Sequence, residues 1–177
     1  MDDAAQSDRS HGDASADAPD RPPSAGPAIH ISGSHAPATL GPLIERLEAA
    51  LAPRAGEVRV RVVHDDEMAA AHQRYKNVPG TTDVLTFDLA EDSDQPLDAD
   101  LLVCIDEAAR QAAARGLPVD HELMLYITHG ILHCSGFNDD TETNAEAMHA
   151  REDELLAAIG IGPVYATDEA ADAEHAE

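Results

Sequence analysis

The sequence predicts an α+β domain in which a mixed sheet of about four strands packs against helices, one of them a central metal-binding helix. Short runs rich in β-forming residues are separated by turn residues, as strands are. Longer segments carry apolar residues at helical spacing. The order along the chain is strand, helix, strand, helix, strand, strand and then three helices, which suits a sheet covered by helices.

The first half of the chain alternates between the two-residue repeat of strands and the 3.6-residue repeat of helices. Apolar residues alternate with arginines from Val58 to Val63, as in a half-buried strand, whereas Leu40 to Leu51 follows a helical repeat. A Pro-Gly pair predicts a loop over residues 78–82. The predicted elements are a strand at 28–31, a helix at 40–51, a strand at 58–63, a helix at 68–75 and a strand at 84–87.

The second half begins with an acidic segment, residues 91–98, whose Pro96 predicts an exposed connection. A fully apolar strand at 101–105 and an Ala-rich helix at 106–115 follow, and Gly116 ends that helix. Asp120 is the predicted N-cap of a helix over 121–134 that is apolar on nearly every side and therefore central. Another helix is predicted at 142–159.

Composition divides the chain into three parts. Residues 1–26 and 164–177 lack apolar periodicity and are predicted to be disordered acidic tails around one domain at 27–163. The 35 acidic and 11 basic residues give a net charge of −24, most of it in the middle of the chain. Such a charge opposes binding to polyanions unless basic residues cluster locally.

Two cysteines, Cys104 and Cys134, lie in apolar runs thirty residues apart, which excludes a disulfide framework and predicts buried thiols in a reducing compartment. The sequence has no signal-peptide pattern at its N-terminus and no run of about eighteen apolar residues that could span a membrane. We therefore expect a cytoplasmic protein without a membrane partner.

The chemistry-bearing segment runs from His129 to Asp139. His129 and His133 stand four residues apart, so on a helix both imidazoles share one face and can reach one ion. Ten histidines make a chance pair of this kind common, but Gly136 can turn the chain back and return Asp139 as a third ligand. The alternative is a pair of core histidines bonded to carbonyls, followed by a polar turn.

Three protein ligands are typical of a catalytic zinc site, which keeps a further coordination position and favours hydrolysis. Zinc proteases of the His-Glu-x-x-His type carry a glutamate beside the first ligand, where this chain has Gly130. Peptidase activity is therefore disfavoured. His121 and His149 also fall on predicted helices, but their spacing does not place them in the ligand set.

The motif His-Gly-x-Leu-His, followed by Gly, an aromatic residue and a third ligand, resembles the YbeY family of single-strand-specific endoribonucleases, which mature ribosomal RNA. Upstream, Thr-Asp-Val-Leu-Thr-Phe at 82–87 and Asp-Leu-Leu-Val-Cys at 100–104 also resemble family blocks. The likeness covers roughly residues 28–162. It implies zinc at His129, His133 and Asp139, and a phosphate contact at Lys76, after Tyr75.

The chain departs from the family pattern at three positions. Asp139 stands where a histidine is usual, which should make the ion a weaker Lewis acid. Lys76 stands where an arginine is usual and keeps the charge but loses the bidentate fork; without the resemblance it would be a solvated surface lysine. Ala99 replaces a glycine, a minor change.

Three functions remain open on these grounds. The first is a zinc-dependent endoribonuclease acting on single-stranded or ribosomal RNA, with Thr82 and Asp83 either in the site or only at a strand start. The second is an assembly factor with a structural metal that docks on a ribosomal subunit or a basic ribosomal protein. The third is a metal hydrolase of another small substrate. For RNA, the expected basic cluster comprises Arg59, Arg61, Arg74 and Lys76.

Overall fold

The computed structural model describes residues 26–92 and 95–164. The tails predicted to be disordered lie almost entirely outside these ranges, so that expectation remains a prediction. The described residues form four strands and five helices in the predicted order: β1 (Ala28–Ser32), α1 (Leu40–Ala50), β2 (Gly56–Val63), α2 (Asp65–Lys76), β3 (Val84–Asp88), β4 (Leu97–Cys104), α3 (Ile105–Arg115), α4 (Val119–His133) and α5 (Glu142–Ala158).

The four strands form one mixed sheet in the order β1-β2-β4-β3. β1 pairs with β2 and β2 with β4 in parallel, whereas β3 runs antiparallel to β4. Because side chains alternate along a strand, Val62 enters the large core shared with α1, α4 and α5, while Val63 packs with Met68 of α2 in a small cluster on the opposite face. The α+β prediction with a mixed sheet is confirmed.

β4 begins at Leu97, four residues earlier than predicted, so the end of the acidic segment is strand rather than loop. Leu97 and Ala99 are buried, while Asp98 and Asp100 point to the other face and bind the Arg59 guanidinium of β2. The prediction was wrong because this arginine, about forty positions away, compensates the two carboxylates. Ile105, predicted as strand, begins α3.

α4 starts at Val119 with Pro118 as its N-cap, so Asp120 lies in the first turn and the predicted cap was wrong. The negative charge of Asp120 still suits that turn because the helix dipole is positive there. The helix is buried along almost its whole length and packs against α3, α5 and the sheet. It is therefore the central helix that its apolar composition predicts.

The packed body extends slightly past both predicted domain boundaries. Gly26 is buried against the Glu48 backbone, and Val164 is 5 % exposed with its N–H donated to Asp153. Cys104 and Cys134 are buried free thiols, as predicted. Among the described helices, none is both long and apolar enough to cross a membrane.

Candidate metal centre

The last turn of α4 brings His129 and His133 together. Their Nε2 atoms lie 3.0 Å apart, and the rings meet edge to face with centroids 4.5 Å apart. The two side chains remain 23 % and 29 % exposed, respectively, although the helix around them is buried. The pair therefore faces a solvent-accessible opening. Histidines that only fill the core would not need such an opening.

The turn after α4 places a third possible ligand, the carboxylate of Asp139, beside the two histidines. Gly136 has φ +92°, a conformation that glycine adopts without strain, and the Phe137 N–H donates to the Leu132 carbonyl at 3.1 Å. The reversal places Asp139 Oδ2 4.0 Å from His133 Nε2. One ligand atom from each of His129, His133 and Asp139 lies within 4.8 Å of the others, and no other such group of His, Cys, Asp or Glu occurs in the described ranges. The three residues can hold a metal ion.

The Nδ1 atoms of both rings form hydrogen bonds to oxygen acceptors. His133 Nδ1 lies 3.1 Å from the Phe137 carbonyl oxygen, which can only accept, so this nitrogen carries the proton. His129 Nδ1 lies 2.7 Å from Glu152 Oε1 and donates to that carboxylate. In these tautomers both Nε2 atoms present lone pairs 3.0 Å apart beside a carboxylate, an arrangement that a cation between them stabilises. This donor set fits zinc.

The charges around His129 also favour a cation. Burial of the ring lowers its pKa, but the hydrogen bond to Glu152 and the negative charges of Glu152, Asp83 and Asp139 outweigh burial, so the pKa lies above its ordinary value. The same fields that hold a proton on the ring stabilise a divalent ion at the bare nitrogens.

Gly130, between the two histidines, brings α4 close to the sheet. A Cβ at this position would lie 1.9 Å from Leu101 Cδ2 and 2.9 Å from Thr86 Oγ1. The contact leaves no room for a glutamate, so the general base of the His-Glu-x-x-His proteases has no place here. The structure thus gives a physical reason for disfavouring peptidase activity.

Lys76, the last residue of α2, lines the same cavity as the two histidines, with a volume of about 400 Å³. It forms no ion pair with any residue in the described ranges. Asp83 also lines this cavity, and its Oδ1 accepts the N–H of Val84 and the hydroxyl of Thr82. Asp83 therefore both fixes the start of β3 and borders the site, so the two roles left open by the sequence coexist.

The expected basic cluster does not assemble at the two histidines, because Arg59 and Arg61 line a different cavity together with Tyr75. Arg59 binds Glu57, Asp98 and Asp100, and Arg61 binds Glu67, on the sheet face away from α4. Arg74 lies over the ring of Tyr75. Strand alternation explains the error, because both arginines of β2 point away from the core, where Arg59 meets the acidic residues of β4 and Arg61 meets Glu67 of α2. Of the four cations, Lys76 alone lines the cavity of the two histidines.

Comparison with known proteins places this site in a family. The model of the family described as Endoribonuclease YbeY matches residues 36–160 and so includes the whole of α4 and the turn to Asp139. The chain belongs to the endoribonuclease YbeY family. The resemblance stated from the histidine motif is confirmed, and with it the expectation of an enzyme of the metal-dependent hydrolase class.

Curated YbeY relatives match over most of their length. Endoribonuclease YbeY of Halorhodospira halophila is 34 % identical over 147 residues, covering 77 % of this chain and 92 % of the relative. That of Paraburkholderia phytofirmans is 36 % identical over 110 residues, covering 62 % and 72 %. The solution structure of TM1509 from Thermotoga maritima shares the fold, with a TM-score of 0.54 at 23 % identity over 74 % of this chain and 88 % of that one.

Glu152 is the residue bordering the candidate metal centre of this YbeY-family chain that the sequence did not predict. It is fully buried, and its Oε2 has no hydrogen-bond partner among the described residues. The available signal was its position on α5, four residues after Met148 and three before Leu155, on the buried face of the helix. A carboxylate on such a face requires a partner, which here is His129.

Proposed function

We propose that this YbeY-family chain is a zinc-dependent endoribonuclease that cleaves single-stranded RNA and acts in ribosomal RNA maturation in the cytoplasm. The observation that carries the proposal is the pair of bare Nε2 atoms of His129 and His133 facing Asp139. Membership of an endoribonuclease family supports RNA as the substrate.

His129, His133 and Asp139 are the proposed zinc ligands. When bound, zinc with three protein ligands is a Lewis acid that activates water for attack on phosphorus. Glu152 and the Phe137 carbonyl fix the tautomers of the two rings, so that Nε2 of each faces the ion. The anionic Asp139 lowers the Lewis acidity relative to a third imidazole, which favours a slower but still competent site.

Lys76 is the proposed phosphate contact. Its ammonium group has no carboxylate partner in the described ranges, so its charge remains available to a phosphate bound in the cavity of the two histidines. Positive charge placed there offsets the charge that develops on phosphoryl oxygens during cleavage. The acidic body then restricts RNA to this local site rather than binding it over a broad surface.

A ribosomal subunit or ribosomal protein is the proposed partner. A net charge of −24 suits a basic protein surface, which would bring the enzyme to its RNA by electrostatic complementarity. The same charge supports the competing function, an assembly factor whose metal is structural. Against it stands the accessibility of the ligand pair, because structural zinc sites are closed by four protein ligands.

The deciding experiment compares one RNA strand, free and annealed to its complement, as a substrate for the zinc-loaded protein. The nuclease proposal expects cleavage of the free strand, little cleavage of the duplex, and loss of cleavage after chelation that zinc restores. If neither RNA is cleaved but the same zinc-loaded protein binds ribosomal subunits, the result would instead support the assembly factor.

A further inference from the structure

A further cavity, of about 430 Å³, lies beside the turn that follows α4. Its walls come from the loop after α1, from the end of α4 with the turn to Phe137, and from α5. The turn is shared with the metal centre, because Phe137 lines this cavity while its carbonyl oxygen accepts from His133 Nδ1. The volume is within the range of about 300–1,000 Å³ typical of sites for small ligands.

Arginines supply the charge of this cavity. Arg54 of the loop after α1 and Arg151 of α5 both line it, and no aspartate or glutamate is among the described residues of the lining. The chain as a whole has 35 acidic and 11 basic residues, so this lining runs against the composition. It provides a place on an acidic body where an anion meets positive charge.

The charge of Arg54 is not compensated within the described ranges. Arg54 forms no ion pair there, and its one hydrogen bond runs from Nη2 to the Cys134 carbonyl oxygen at 3.4 Å. Its Nε–H is buried and has no acceptor. A half-buried cation with an unpaired N–H costs free energy, and an anion bound to the guanidinium in the cavity would offset that cost.

Arg151 adds a second guanidinium. Its ion-pair partner in the described part of the chain is Glu154, whose side chain is 69 % exposed, so solvent screens much of this pairing. Because a guanidinium carries five N–H donors, Arg151 keeps donors for a further acceptor. Two guanidiniums with unused donors in one cavity are suited to a phosphate group.

The remainder of the lining is mainly apolar. Leu51, Pro53 and Leu132 contribute aliphatic side chains, and Phe137 contributes a half-buried ring. Aromatic rings beside positive charge bind single-stranded nucleic acids, because a base stacks on the ring while a phosphate meets the cation. The cavity therefore has a place for each half of a nucleotide.

We propose that this cavity binds a nucleotide of the RNA strand that flanks the cleaved linkage, with its phosphate at Arg54 and Arg151 and its base against Phe137. The inference rests on the proposed function. One turn of the chain separates the cavity from the metal centre, since the Phe137 carbonyl bonds the ring of His133. Lys76 then contacts the cleaved phosphate and the two arginines a neighbouring one, so an acidic protein holds RNA at two local sites.

The test measures binding of a cleavage-resistant analogue of single-stranded RNA to the zinc-loaded protein at several salt concentrations. Arg54→Gln removes the charge and keeps an amide that can donate to the Cys134 carbonyl. We expect it to weaken binding about tenfold. The slope of log K against log salt should fall in magnitude by about 0.7, the contribution of one phosphate contact on a single strand.

Arg46→Gln is the matched control. Arg46 also donates to a backbone carbonyl, that of Ile159, forms no ion pair in the described ranges and lies outside the cavity. It should bind RNA as wild type does, with the same salt slope. Arg151→Gln should lower affinity and slope as Arg54→Gln does, and all variants should keep the wild-type melting temperature. Equal losses in Arg46→Gln and Arg54→Gln would reveal a general charge effect and overturn the site.

Phe137→Leu tests the base contact separately from the phosphate contact. Loss of a stacking surface should weaken RNA binding about fivefold and leave the salt slope unchanged, because the number of phosphate contacts stays the same. Wild-type affinity in Phe137→Leu would overturn the placement of the base.

Cleavage kinetics with normal RNA complete the experiment. Arg54→Gln should raise KM about tenfold and change kcat by less than about twofold, because a flanking contact binds substrate and transition state alike. Salt-dependent RNA binding that is reduced in Arg54→Gln supports the site even if no RNA is cleaved, in which case only the proposed function fails. Equal affinity and salt slope in wild type, Arg54→Gln and Arg151→Gln overturn the site while leaving the nuclease intact.

Discussion

Glu152 Oε1 lies 2.7 Å from His129 Nδ1, although the two residues are 23 positions apart and on different helices. The carboxylate is fully buried, so its position depends on the packing of α5 against α4. A buried acid bonded to the remote nitrogen of a ligand histidine orients the ring and raises its basicity. The candidate metal centre therefore extends one residue beyond the motif that the sequence displays.

Glu152→Gln tests this relationship at nearly constant size. The amide accepts a weaker hydrogen bond and carries no charge, so zinc affinity should fall by about 10–100-fold. The measurement is competition for zinc against a chromophoric chelator. Glu154→Gln on the same helix is the control, since Glu154 is 69 % exposed and pairs only with Arg151. Equal affinity in wild type and Glu152→Gln would limit Glu152 to a packing role.

Lys76→Ala separates the phosphate contact from metal binding. Zinc content and melting temperature should stay at wild-type values, while RNA cleavage falls about 10²-fold, the loss expected for one electrostatic contact in the transition state. Lys76→Arg should retain or raise activity, because the guanidinium keeps the charge and adds a second hydrogen bond. Arg74→Ala, on the same helix but over Tyr75, is the control. Identical rates in all four proteins would exclude Lys76 from the reaction.

The sequence predicted the local part of this site and missed the remote part. His129, His133, Gly136 and Asp139 fall within eleven residues, so helical spacing and one turn suffice to bring them together. Glu152 contacts His129 only through the packing of two helices, which no local pattern encodes.

Two incorrect sequence predictions, the late start of β4 and the basic cluster that included Arg59, share one cause. Arg59 pairs across the sheet with Asp98 and Asp100, so the acidic residues start a strand and the arginine is not available to RNA. Taken one at a time, the acidic residues predict a loop and the arginine predicts an unpaired positive charge. Only the strand register shows that they compensate one another.

Gly130→Ala tests the close approach of α4 to the sheet. The added Cβ would overlap Leu101 Cδ2, so the variant should lose about 1–3 kcal/mol of stability, measured by denaturant unfolding. Gly41→Ala in α1 is the control because nothing lies within 4 Å of its added Cβ, and there alanine should stabilise by about 0.5–1 kcal/mol. A stable Gly130→Ala would show that the helix can move away from Leu101 without cost.

Removing residues 1–25 and 166–177 tests the predicted domain boundaries. Both segments lack periodic apolar residues, and the truncation keeps the buried Gly26 and Val164. The melting temperature should change by no more than a few degrees. A cooperative loss of structure on removing either segment would mean that it packs against the body, contrary to the composition.

Zinc content measured together with RNA cleavage, in wild type and His133→Ala, tests the central claim most directly. Wild type should retain about one zinc per chain through gel filtration and cleave single-stranded RNA, because three ligands form a stable site. His133→Ala should remain folded, lose the metal and lose cleavage together. A folded wild-type protein that cleaves RNA with no bound metal, or a His133→Ala variant that keeps both zinc and activity, would contradict the assignment.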